Sequence, residues 1–184
     1  MIVVSMHEDD EGMRNLYAAS AADAVFSGMD KAIAASEKNR SASGLGWDAM
    51  HVIEHPKPTF ADEGLQTTQL VSAMEGVIPR VSRFTIGGTP NNPIYSEDEK
   101  PVAFGYGDEL YIKAEVSSDL VSHIWYDVQT TEATKLQGLR QAFEALDKVI
   151  PCVLADYWVH ADGFLSNREF LDDYFAFLAN LENH

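Results

Sequence analysis

Glu109-Leu110-Tyr111-Ile112-Lys113-Ala114-Glu115-Val116 is the stretch that decides the fold class. Leu110, Ile112, Ala114 and Val116 alternate with Glu109, Tyr111, Lys113 and Glu115, which is the period of two expected of a strand with one apolar and one wet face. Upstream, Val102 to Tyr106 precedes it across Gly107-Asp108, so the two runs predict a hairpin. Downstream, Ser117-Ser118-Asp119 reads as a turn, and Ser122 to Gln129 adds a third antiparallel strand, completing a meander. Val81 to Ile86 also alternates and runs into the loop Gly87-Gly88-Thr89-Pro90-Asn91-Asn92-Pro93.

Helical periods flank this central run. Leu136, Leu139, Phe143, Leu146 and Ile150 recur at three and four before Pro151, predicting a helix over about 132–149. Cys152 to His160 then reads as a strand, and after Gly163 the spacing of Ser166 and Glu169 matches a capping box ahead of a terminal helix carrying Phe170, Leu171, Tyr174, Phe175, Leu178 and Leu181. Toward the N-terminus, Ile2 to Ser5 predicts a first strand. Met13, Leu16, Tyr17, Ala21, Ala24, Val25, Met29 and Ile33 predict a helix reaching about Ser36. Leu70, Val71, Met74, Val77 and Ile78, with Thr67 as cap, predict another helix before Pro79. Helices that flank a block of strands, rather than alternating with strands one by one, specify an α+β fold: a largely antiparallel sheet, a central meander, and three or four helices in a single layer on one face. At 184 residues the chain is expected to form one domain, 1–184.

Composition limits the partners. The chain carries 29 acidic against 13 basic residues, a net charge of −16, which repels phosphate backbones and anionic lipid, so neither nucleic acid nor membrane is expected as a partner. Cys152 is the single cysteine, no run of eighteen apolar residues occurs, and the N-terminal apolar stretch lacks a basic lead; these features point to the cytoplasm. Gly44-Leu45-Gly46 and Gly105-Tyr106-Gly107 lack the context of a dinucleotide fingerprint. Neither a phosphate-binding G-x-x-x-x-G-K-[ST] nor a nucleophile-bearing G-x-S-x-G is present.

Three groups of residues could carry a function. His51-Val52-Ile53-Glu54-His55 resembles the H-x-x-E-H of the inverted zinc peptidases. That resemblance implies His51 and His55 as zinc ligands and Glu54 as the catalytic residue that activates water, although Pro56 would cut the helix that must hold both histidines. His7, Glu8, Asp9 and Asp10, taken with Asp156, His160 and Asp162, would suit Mg²⁺ or acid–base work if the two groups met. In an extended strand Asp156, Trp158 and His160 share one face, and with Tyr111 and Trp125 they form the candidate binding residues.

The expectation is a non-catalytic, inhibitor or immunity-like module that meets a basic protein partner, with no cofactor, and with a homodimer as a further option. The alternatives are a zinc-dependent hydrolase at His51, Glu54 and His55, and a small-molecule binder whose pocket is lined by Trp125, Tyr157 and Trp158.

Overall fold

The computed structural model describes residues 1–7, 12–41, 55–87 and 96–180. Its main element is a six-stranded antiparallel sheet built from β2 (Arg14–Ala18), β5 (Ala103–Gly107), β6 (Leu110–Ser117), β7 (Leu120–Val128), β8 (Cys152–Asp156) and β9 (Ala161–Phe164), in the order β5-β6-β7-β2-β8-β9. The expected meander is β5-β6-β7. Its second turn places Ser118 and Asp119 at φ of 50° and 66°, both left-handed, which matches the twist of the strands they join. A smaller sheet holds β1 (Val3–His7), β3 (Arg83–Gly87) and β4 (Ser96–Asp98), with β1 and β3 parallel.

Among the described residues four α-helices complete the α+β architecture: α1 (Ala22–Lys38), α2 (Thr67–Met74), α3 (Ala133–Val149) and α4 (Arg168–Leu178). Three of them form the expected layer on one face, where α2, α3 and α4 pack Leu70, Met74, Leu139, Phe143 and Phe175 against Leu16, Ile112, Ile124, Tyr126 and Leu154 of the sheet. The opposite face is covered too. There α1 lays Val25 and Met29 on Tyr17, Val153, Ala155 and Tyr157, while the small sheet lays Val4, Met6, Phe84 and Ile86 on Tyr111 and Trp125. Phe84, Tyr111 and Trp125 meet edge to face at centroid separations of 5.2, 5.6 and 5.8 Å.

This second cover corrects the wet face expected of β6. Tyr111 is 1% and Lys113 7% exposed, because the small sheet lies over them. The Lys113 ammonium sits over the Phe84 ring at 5.5 Å and reaches Glu115 at 3.3 Å, so the aliphatic stem is buried while the charge finds the rim.

Three further boundaries differ from expectation. Met13 to Tyr17 belongs with β2 and not to a helix, since Arg14–Ala18 is buried throughout between β7 and β8 and a strand covered on both faces shows no alternation. Helix α2 is capped by Gln66, whose side chain forms a capping box with Gln69, and Thr67 instead donates its hydroxyl and its N–H to the Asp119 carbonyl, tying α2 to the β6–β7 turn. Helix α4 is capped by Asn167, which accepts from the Phe170 N–H at 3.2 Å, in place of Ser166.

The β5 strand is held on both sides. Leu110 and Tyr111 approach so closely that a Cβ added at Gly105 would stand 2.6 Å from the Tyr111 Cα, and backbone cannot yield there. Gly105→Ala is therefore expected to cost about 1–3 kcal/mol or more, read as a lower urea midpoint, whereas Gly107→Ala meets no atom within 4 Å and measures only the backbone effect of its φ of 120°.

Candidate functional site

A polar centre lies where β2, β7, β8 and α4 converge. Arg14 donates through Nε to Asp156 Oδ2 at 2.9 Å and through Nη1 to Asp127 Oδ1. The Tyr174 hydroxyl donates to Asp156 Oδ2 at 2.8 Å and lies 2.8 Å from the Tyr126 hydroxyl, while Asp156 Oδ1 accepts from the Trp158 N–H at 3.0 Å. Gln129 donates to Asp127 Oδ2 at 2.7 Å. Arg14, Asp127 and Asp156 are 7%, 4% and 0% exposed. Burial by itself disfavours the guanidinium charge, yet the carboxylates, Asp156 foremost and then Asp127, hold the Arg14 pKa above its usual value. Burial likewise pushes the Tyr126 and Tyr174 hydroxyls well up, so both keep their protons at neutral pH. Every group here is taken up by a neighbour, and the centre serves to fasten strands together.

The histidines form a second cluster. His123 Nε2 lies 2.8 Å from Asn15 Oδ1, and since that oxygen only accepts, Nε2 carries the proton. His55 packs on the His123 ring at a centroid distance of 4.3 Å. Burial, followed by the charge of His55, lowers the His123 pKa from 6.5 to about 3. The cavity beside them, lined in part by Pro56, Pro58 and Phe60, measures 20 Å³, which holds no more than about one water. His51 and Glu54 lie outside the described residues, and among the described residues no three His, Cys, Asp or Glu side chains are placed to hold a metal ion.

The third feature is open to solvent. Beyond Asp156 the chain does not continue as a strand: the Trp158 N–H turns back onto Asp156, His160 takes a left-handed φ of 54°, and the chain returns as β9. The expected common face of Asp156, Trp158 and His160 is thus replaced by a hairpin, with Asp156 buried at its base and Trp158 (52% exposed) and His160 in its turn. Phe164 on β9 is also exposed and meets Phe26 of α1 edge to face at 5.6 Å. Beside the hairpin, Val159, Ala161, Phe170, Tyr174 and Phe177 line a groove of 240 Å³ with the Asp173 carboxylate at its rim. Gly163 allows this packing, since a Cβ there would lie 2.7 Å from the Phe170 ring. On the other side of β9, burial and the neighbouring Asp30 charge raise the pKa of Asp162.

Of the candidate binding residues, the structure therefore leaves Trp158 and His160 at the surface and buries Tyr111, Trp125 and Asp156. Trp125, Tyr157 and Trp158 do not share a pocket: the first lies under the small sheet, the second under α1, and the third faces solvent. His7 ends β1 opposite Gly87 in the small sheet, Glu8, Asp9 and Asp10 lie outside the described residues, and Asp156 is engaged by Arg14, Tyr174 and the Trp158 N–H. Arg14, Asn15, His123, Asp127 and Tyr174 were not among the expected site residues. The one available signal was Asp127, a charge set between Tyr126 and Val128 in an otherwise apolar run.

Removing Arg14 would strand two buried carboxylates. Arg14→Ala is expected to cost about 3–5 kcal/mol in urea unfolding, and a loss under about 1 kcal/mol would show that the centre fastens nothing. His123 gives a separate pH signature. With its folded pKa depressed to about 3, the unfolded chain binds the extra proton first, so stability declines as pH falls from about 6.5 toward 3. His123→Gln should flatten that part of the profile, and an unchanged slope would remove His123 from the account.

Comparison with protein-family models, with curated protein sequences and with solved structures finds no match to this chain, so its function is argued from its own residues.

Proposed function

We propose that this chain is a non-catalytic binding protein, an inhibitor or immunity-like module that docks on a basic protein partner. The observation that carries the reading is the β8–β9 hairpin, where exposed Trp158 and Phe164 stand on an acidic edge bearing Asp162, with Asp30 beside it on α1 and Asp173 on α4. Tryptophan is one of the side chains enriched among the hot spots of protein interfaces, and a −16 charge draws a basic partner to the molecule. The buried Arg14 centre fits the same reading, since its groups satisfy one another and offer no free acid, base or nucleophile. The single cysteine, Cys152, is buried and its thiol pKa is raised by that burial, in keeping with a cytoplasmic protein that uses no redox chemistry. No helix among the described residues is long and apolar enough to cross a membrane.

The test is capture from the soluble proteins of the source cell on immobilised chain. One basic protein should be held near one to one at about 0.05 M salt and released by about 1 M, where the screening length falls to about 3 Å. Retention of no basic protein would sink the proposal. So would near-stoichiometric zinc in protein purified without chelator that disappears in His51→Ala, His55→Ala, because that would move the function to the hydrolase chemistry of Glu54.

A further inference from the structure

The six-stranded sheet has two edges, and they are treated differently. Along β5 the segment before β3 closes the edge: the Val81 N–H donates to the Ala103 carbonyl at 2.9 Å and the Gly105 N–H to the Pro79 carbonyl at 2.8 Å. Along β9 no strand pairs on the outer side among the described residues. The Leu165 N–H bonds the Cys152 carbonyl at 3.0 Å, and counting the antiparallel alternation back from that pair turns the N–H and C=O of Asp162 and the N–H of Phe164 outward; the Phe164 carbonyl is taken by the Asn167 N–H. Ala161–Phe164 carries no lysine, proline or bulge; what guards this edge is its shortness, four residues, and the carboxylate of Asp162, which lies against its own backbone N–H, so the guard is itself a negative charge that a cationic strand would neutralise.

We infer that β9 accepts an extended segment of the basic partner as a seventh strand, with a lysine or arginine of that segment seated in the groove beside α4. This rests on the binding function proposed above. Side chains of an added strand would alternate between the two faces of the sheet. Those on one face enter the 240 Å³ groove, whose Phe170 and Tyr174 rings cover an aliphatic stem and whose rim carries Asp173 for the cation. Those on the other face meet Phe164 with Asp162 and Asp30 close by. Carboxylates on both sides of the edge select a cationic strand, and they oppose pairing of β9 with its own copy, which would bring two such edges and two −16 chains together.

The probe is a fluorescent peptide of about six residues, the usual strand length, alternating lysine and threonine, with a glutamate–threonine peptide as its counterpart. Anisotropy should show binding of the first only, weakened about tenfold by Asp173→Lys and little changed by Glu37→Lys, a like charge change elsewhere on the surface. Amide hydrogen exchange should slow at Asp162 and Phe164 when the peptide is bound. Equal weakening by both variants, or unchanged exchange at those two amides, would overturn the edge assignment, as would a dimer in sedimentation that competes with the peptide. The two proposals separate cleanly: if the captured basic partner still binds Asp173→Lys at full strength, the edge is wrong and the binding function stands, whereas failure of the unaltered chain to capture any basic partner removes both.

Discussion

Arg14 is a buried cation held between two buried carboxylates, and the sheet is organised around that requirement. A guanidinium 7% exposed is tolerable only if its donors are met, and the partners come from β7 and β8, the strands on either side of β2. Tyr174 extends the same network into α4, so one residue of the central strand fixes its register to both neighbours and the placement of the last helix. The Trp158 N–H on Asp156 then starts the hairpin that ends in the exposed edge. The most closed part of the molecule therefore holds the most open part in position.

Covering both faces of the sheet with different elements has its own logic. A central strand such as β2 presents Leu16 and Ala18 to one side and Asn15 and Tyr17 to the other, and both sets are buried. Three helices suffice for the first face, but on the second α1 reaches only the β2-β8-β9 half. The small sheet covers the remainder, with Phe84 wedged between Tyr111 and Trp125. The polar residues left on that face are resolved locally, Asn15 by His123 and Gly12, and Lys113 by the rim carboxylates.

How much of this was legible in the sequence follows from which residues meet water. The α3 period, the β5-β6-β7 meander and the α+β class could be read directly, because α3 has one apolar stripe ending at a proline, and the meander strands are set off by the sharp turns at Gly107-Asp108 and Ser118-Asp119. Strand β2 could not, since all five of its residues are buried and the spacing of Leu16, Tyr17 and Ala21 continues without a break into the true helix. The wet face assigned to β6 failed for a related reason: an element distant in sequence, β3, supplies the cover, and nothing in Glu109 to Val116 signals it. At the candidate site Trp158 and His160 were recognised as residue types suited to a surface, but the turn between β8 and β9 carries no glycine, proline or asparagine, so its geometry was invisible. Arg14 could not be recognised as a buried cation because its two partners lie 113 and 142 residues further along the chain.

That separation has a kinetic meaning. Strand β2 is synthesised long before its β8 partner, since Arg14 and Asp156 stand 142 residues apart, so the order of synthesis opposes the order of assembly. Until β7 is made β2 has two unsatisfied edges, until β8 is made it still has one, and closing such long loops carries an entropic cost that local helices do not bear. The nascent chain therefore carries an unfinished sheet until the segment that contributes α3, β8, β9 and α4 is made and converts that waiting strand into the middle of a finished one.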